Sequence, residues 1–402
     1  MIDLEVPRKF DALVEQAQQV ARQVFRPISR RYDRDEHTEP KELHLLAAAM
    51  DGLEDSGELS GAGAGGVARD ASAEPGNRNG SNLSTVLGIM ELCWGDVGLL
   101  LSMPRQGLGN SAIASVADED QRERYAGKWA AMAITEPDAG SDSAAIRTTA
   151  VRDGDEYVLN GTKIYVTSGQ RADLVVVWAT LDPSLGKAAI KSFVVSRDNP
   201  GLELVRLEHK LGIRASDTAE FVLTDCRVPA EDLLGDPEIH ADKSFAGAMQ
   251  TFDNTRPLVA GMAVGLTRAC LDRTRELLAE AGITIDHDRS LHRQPSAAAT
   301  WLRLEAEYEA ARLLTLQAAW MADNARPNSL QASFAKAKAG RTCVEVALTC
   351  VELTGPLGYG EDELLEKWAR DAKILDIFEG TQQIQQLIIA RRLLGLSSAE
   401  LK

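Results

Sequence analysis

The chain has 402 residues, more than one hydrophobic core usually supports, so two or three domains are expected. Sixty Asp and Glu against 44 Lys and Arg give a net charge of −16, which argues against a phosphate backbone as partner and so against nucleic-acid binding. No run approaches the roughly 20 apolar residues of a membrane span, so no membrane-spanning segment is expected.

From about Val6 to Asp55, Phe10, Leu13, Val14, Ala17, Val20, Ala21 and Phe25 recur at three- and four-residue spacing and predict amphipathic helices. The N-terminal stretch MIDLEVPRKFDALV is acidic from its third residue and lacks the features of a signal peptide or mitochondrial presequence. Residues 56–82 are rich in Gly, Ser, Ala and Asn and read as a mobile loop. Gly61, Gly63 and Gly66 there formally match GxGxxG, but no strand precedes them, and the match is read as linker composition. Helical periodicity resumes from Leu83 to Trp129.

Between about Ala131 and Leu234 the period changes to two, in EYVLNGTKIYV, ADLVVVWATL, AIKSFVVS, LELVRLEH and AEFVLTDCRV, which predicts a compact β domain. Beyond Phe245 long helical patterns with short connections predict an antiparallel bundle. The expected fold is multidomain α+β: an N-terminal helical domain over residues 1–130, a middle β domain over 131–236 and a C-terminal bundle over 237–402. This order differs from the alternating βαβ pattern of a nicotinamide-binding fold. Cys93, Cys226, Cys270, Cys343 and Cys350 are scattered, with no CxxC pair and no histidine cluster beside them, so no metal site is expected and a reduced, cytoplasmic compartment fits.

Five segments could carry chemistry. In ITEPDAGSD, Pro137 and Gly140 impose a turn that exposes backbone N–H groups while Thr135 and Ser141 add hydroxyls; the segment is either a cofactor cradle or an ordinary polar turn. In KIYVTSG, a strand would put Tyr165 and Thr167 on one face, one to stack on a ring and the other to hydrogen-bond it, although Tyr165 could equally be a half-buried strand residue. LGIRASDTAEF supplies Arg214, Ser216, Asp217 and Thr218, read as an internal ion pair at a domain boundary. FDNTRP opens the bundle with Asp253 and Arg256 three apart on a helix, either paired with each other or facing a polar ligand. In ARDAKILDIFEGTQQIQQ, Gly380 breaks the helix and Thr381 is suited to cap the next one, which lifts Glu379 onto a bend beside a helix N-terminus. Its neighbours Ile377, Phe378 and Ile384 are apolar, and desolvation by such walls would raise its pKa and strengthen it as a base; a capping carboxylate is the alternative.

In order and separation, ITEPDAGSD, KIYVTSG, LGIRASDT, FDNTRP and RDAKILDIFEGTQQIQ together resemble the acyl-CoA dehydrogenase family over about Val6 to Gly395. The resemblance implies a helical domain, a β-barrel-like middle domain and a four-helix bundle, with FAD between the last two. It places Ile134, Thr135, Gly140, Ser141, Tyr165 and Thr167 around the flavin half, and Thr381 and Gln383 toward the phosphates and ribose. Ser141, Asp253, Arg256, Phe378 and Gly380 fall where the family touches a CoA thioester, and Glu379 matches the catalytic base. Members whose base stands at the start of the bundle have it where this chain has Thr255. The implied reaction is α,β-dehydrogenation of an acyl-CoA to a trans-2-enoyl-CoA, with an electron-transfer flavoprotein or similar acceptor reoxidising FAD. A non-catalytic partner subunit and an acyl-CoA oxidase are the alternatives.

Two family elements that reach a neighbouring subunit's FAD are not matched. The Arg-x-x-Phe-Gly stretch reads AGITIDHDRSLHRQ, and the Gln-x-x-Gly-Gly stretch reads ELTGP, with Glu352 for the glutamine and Pro356 for the second glycine. The assembly expected is a homo-oligomer or a hetero-oligomer with a second acyl-CoA dehydrogenase subunit.

Overall fold

The computed structural model describes residues 6–54, 78–104, 108–239, 246–396 and 400, without the side chains of helical residues 49–54 and 246–254. The apolar spacing of the first segment forms α1 (Asp11–Val20), which runs through a π-helical turn at Ala21–Phe25 into α2 (Arg26–Arg34). After α3 (Lys41–Glu54), residues 56–77 of the Gly- and Ser-rich segment lie outside the described residues. Its last two residues, Ser81 and Asn82, belong to α4 (Ser81–Gly95), so the expected loop is too long at this end. The cause is a distant cap: the Asp323 carboxylate accepts from the N–H groups of Gly80 (2.7 Å), Asn82 (2.9 Å) and Leu83 (3.1 Å). Helices α5 (Val97–Leu100), α6 (Leu108–Val116) and α7 (Glu119–Arg124) complete this part.

The period-two segments become strands of one curled seven-stranded sheet: β1 (Ala130–Ala133), β2 (Thr149–Asp153), β3 (Glu156–Thr167), β4 (Leu174–Thr180), β5 (Ile190–Ser196), β6 (Leu202–Leu207) and β7 (Thr218–Pro229). The order is β1-β4-β2-β3-β7-β6, with β5 antiparallel on the other side of β4. Strands β3 to β7 correspond to the five segments legible in the sequence. β1 and β2 were missed because AAMA and TAVRD are too short to show a period. Tyr157, Leu159, Phe193 and Phe221 fill the core beneath the sheet.

The last part comprises α8 (Ala246–Glu280), α9 (Ser296–Asp323), α10 (Ser329–Thr354), α11 (Pro356–Tyr359), α12 (Leu365–Leu375) and α13 (Gln382–Leu394). FDNTRP does not open the bundle as expected, because α8 starts at Ala246 and Pro257 lies inside the helix. A single apolar core joins the N-terminal helices to the bundle, with Phe25, Val86, Leu266, Trp301, Val346 and Trp368 among its members. Helices, curled sheet and helical bundle follow in the expected order.

Candidate functional site

α12 ends at Leu375 and α13 begins at Gln382, and the six residues between make a bend. The Thr381 side chain accepts from the Ile384 N–H (3.3 Å) and caps α13, and the Gln382 N–H donates to the Asp376 carbonyl (3.1 Å). The turn is sharp enough to hold Glu379 in the left-handed region at φ 54° and Gly380 at φ 90°; a glutamate there is strained. Glu379 is half-buried, and its Oε2 is shut off from solvent with no hydrogen-bond partner among the described residues. Burial raises its pKa above the ordinary carboxylate value, opposed by a hydrogen bond from the Thr255 side chain and by the charges of Lys336 and Arg256.

Thr255 and Arg256, on α8, are both buried. The Asp253 side chain lies outside the described residues, so its pairing with Arg256 stays open. Of the apolar walls expected around the base, Phe378 packs on the main core while Ile377 is 44% exposed. The sequence reading missed Lys336 and Gln385. Lys336, on α10, is fully buried and donates from Nζ to the Gly380 carbonyl (2.7 Å). Buried Gln385 donates from Nε2 to the carbonyls of Glu379 (3.2 Å) and Gly380 (3.1 Å). Lys336 left a signal, since it occupies the buried stripe of α10 with Ala332, Ala335, Ala339 and Cys343.

On the sheet, buried Ile134 and half-buried Thr135 follow β1, and the Ile164 N–H donates to the Thr135 carbonyl (2.9 Å). The strand does not continue regularly to Tyr165. A bulge between Lys163 and Val166 turns both of those inward and leaves Tyr165 at φ 59° and 62% exposed, with Thr167 half-buried beyond it. The turn of ITEPDAGSD, with Gly140 and Ser141 exposed, rests on a buried ion pair absent from the sequence reading. Lys163 Nζ lies 2.7 Å from Glu136 Oε1, and Glu136 also accepts from the N–H groups of Arg147 (2.6 Å) and Thr148 (2.9 Å). Burial pulls Lys163 down to about 8 against the opposing charge of Glu136.

Loop 212–217 ties the sheet to α12, the helix that leads into the bend. Gly212 sits where a Cβ would come within 2.5 Å of the Arg370 carbonyl carbon, and the Ile213 N–H donates to Asp371 Oδ1 (2.5 Å), both partners being on α12. Behind it Lys367 bridges Asp371 (2.5 Å) and Asp96 (2.7 Å), all three fully buried. The internal ion pair expected in LGIRASDT exists with another partner: Asp217 faces Arg171 (3.4 Å), while Arg214 donates to the Lys210 carbonyl (2.9 Å). Glu36, His37 and His209 place one ligand atom each within 4.8 Å of one another, a group the sequence hides by separation; the Glu36 carboxylate is already bonded to His209 Nδ1 (2.9 Å) and the Lys210 N–H (2.9 Å).

Two family models match: residues 131–226 fit "Acyl-CoA dehydrogenase, middle domain" and residues 244–394 fit "Acyl-CoA dehydrogenase, C-terminal domain". The short-chain specific acyl-CoA dehydrogenase of Clostridium acetobutylicum is 31% identical over 401 residues, 98% of this chain and 100% of that one. The butyryl-CoA dehydrogenase structure from Megasphaera elsdenii superimposes with a TM-score of 0.84 at 28% identity, covering 98% of this chain and 100% of that one. A chain from the structural study of the electron transferring flavoprotein of Acidaminococcus fermentans gives 0.83 at 29%, with 98% and 100% covered. A half-buried, strained glutamate at a helix break, an exposed tyrosine at a strand bulge and these full-length similarities converge: the chain belongs to the acyl-CoA dehydrogenase family, a family of oxidoreductases.

Proposed function

We propose that this chain performs the FAD-dependent α,β-dehydrogenation of an acyl-CoA thioester, with Glu379 as the base that takes the α-proton. The observation that supports this most directly is the Glu379 carboxylate: desolvated, with a buried oxygen that has no partner among the described residues and a raised pKa. Such a group is a stronger base than a solvated one. Among the described residues no hydrogen bond uses the Glu379 N–H, which would then polarise the thioester oxygen as negative charge develops there. Arg256, with Ser141, Asp253, Phe378 and Gly380, would hold the thioester.

The residues present fit a flavin. Tyr165 offers a ring that the chain leaves largely uncovered, and a Cβ on Gly140 would meet nothing closer than Thr135 Cγ2 at 4.0 Å, so the turn is open to a flat ligand. Ile134, Thr135, Gly140, Ser141, Tyr165 and Thr167 would hold the flavin half, with Thr381 and Gln383 toward the phosphates and ribose. When bound, FAD supplies the acceptor for the β-hydrogen, which leaves as hydride. An electron-transfer flavoprotein is the proposed onward acceptor and the cytoplasm the proposed compartment; no helix among the described residues is long and apolar enough to cross a membrane.

The assembly reading rests on Glu352 and Pro356, which stand where the family presents glutamine and glycine to a neighbour's FAD. Glu352 is exposed on α10 and would repel a pyrophosphate. The chain is proposed to work with a second, different acyl-CoA dehydrogenase subunit that supplies those contacts.

The activity is tested by mixing the flavin-loaded protein, alone and with candidate partner chains, with acyl-CoAs of graded length under anaerobic conditions. Bleaching of oxidised flavin with formation of the trans-2-enoyl-CoA is expected. Absence of bleaching by every thioester in every assembly would contradict the reading.

A further inference from the structure

We propose that Lys336 is a positioning residue for Glu379: its ammonium fixes the bend through the Gly380 carbonyl and its charge favours the ionised form of the buried carboxylate. This deepens the proposed function, because it rests on Glu379 being the base.

The argument begins with packing. Lys336 and Gly340 are four apart on α10 and share a face. Gly340 stands so close to the end of α12 that a Cβ there would lie 2.7 Å from the Leu375 carbonyl oxygen and 3.2 Å from the Asp376 Cα. Only a glycine lets α10 approach this closely, and the approach sets the Lys336 side chain beneath residues 376–381. There it is fully buried, with its Nζ 2.7 Å from the Gly380 carbonyl oxygen.

A lysine without solvent exposure is costly unless its charge is used. No salt bridge joins Lys336 to a carboxylate among the described residues, in contrast to Lys163, which is bonded to one, and Lys367, which is bonded to two. Among the described residues the charged and polar groups around the base are Lys336 from α10, Arg256 and Thr255 from α8, Gln385 from α13, bonded to the Glu379 carbonyl, and Asp376, beside Lys336, from the bend itself. Burial lowers Lys336 to about 8, against the charges of Asp376 and Glu379 and with that of Arg256, so it remains mainly protonated at neutral pH. A positive charge here offsets part of the desolvation that would otherwise protonate Glu379. The lysine also anchors the carbonyl that follows Glu379, and so helps hold that residue in its strained conformation.

The test compares wild type with Lys336→Met, which removes the charge and the hydrogen bond, and with Lys336→Arg, which keeps a cation. Glu379 is titrated by infrared difference spectroscopy of the protonated carboxyl band, identified by its absence in Glu379→Gln and followed in protein with and without flavin. With Lys336→Met the Glu379 pKa should rise by about one unit or more, a tenfold change or greater in the ionisation equilibrium. The acid limb of the kcat profile should move up with it, and Lys336→Arg should return both part of the way. If Lys336→Met does not fold, Lys336→Gln takes its place, since it removes the charge while retaining a donor. A folded variant whose carboxyl band titrates as in wild type overturns the proposal, even if its melting temperature falls. The band reports Glu379 whether or not that residue is the base. An inactive role for Glu379 would instead appear as undiminished flavin reduction in Glu379→Gln.

Discussion

Glu379 combines a left-handed backbone, a buried oxygen without a partner among the described residues and a raised pKa, three costs that a residue kept for stability alone would avoid. Because its folded-state pKa lies above the unfolded value, the folded protein binds a proton more readily than the unfolded chain. The penalty is therefore present at neutral pH and is lost as the pH falls through the folded-state pKa toward the ordinary carboxylate range. Replacing Glu379 with Gln should raise the melting temperature at pH 7, with a gain that shrinks on acidification toward that range. Melting curves across that pH interval check this, and a lower melting temperature at pH 7 would contradict a net cost of burying the Glu379 charge. The bend was legible in the sequence, because a glycine after Glu379 and a capping threonine after that have a local meaning. Lys336, Gln385 and the Glu136–Lys163 pair were not, because their partners lie far away in the chain or their effect depends on burial.

Among the elements, loop 212–217 is the joint between the sheet and α12, the helix that leads into the bend. Gly212 lies against the α12 backbone, with the Arg370 carbonyl oxygen 2.6 Å and the Asp371 nitrogen 2.6 Å from where a Cβ would stand. None of these backbone atoms can swing aside as a flexible side chain would. Gly212→Ala should therefore destabilise the protein by about 1–3 kcal/mol through overpacking. It should also loosen the Ile213 to Asp371 hydrogen bond, which faster amide exchange at Ile213 would report. Unchanged stability and exchange would show that the loop adapts freely. The five longer strands followed from alternation and the bundle from helical periodicity, whereas the cap on α4 came from Asp323, a residue that no local pattern connects with it.

For the whole molecule, the sequence shows which family contacts are missing but not what replaces them. If Glu352 and Pro356 face a neighbour's cofactor, as proposed, the chain should hold FAD poorly when assembled only with itself. Losing one charged pair and several backbone hydrogen bonds costs about 3–6 kcal/mol, enough to bring tight binding into the micromolar range. The isolated protein should contain well under one flavin per chain, restored to one per heterodimer on co-expression with its partner subunit. A full flavin complement in an active homo-oligomer would refute the heteromer.

The central claim, that Glu379 starts the reaction, is tested most directly by anaerobic stopped-flow reduction of the flavin-loaded protein by an acyl-CoA. The comparison is wild type against Glu379→Gln, in whichever assembly proves active. The account predicts that the variant still binds flavin and thioester but reduces the flavin about a thousandfold more slowly or worse, a barrier increase of about 4 kcal/mol or more. Rapid bleaching in Glu379→Gln would contradict it.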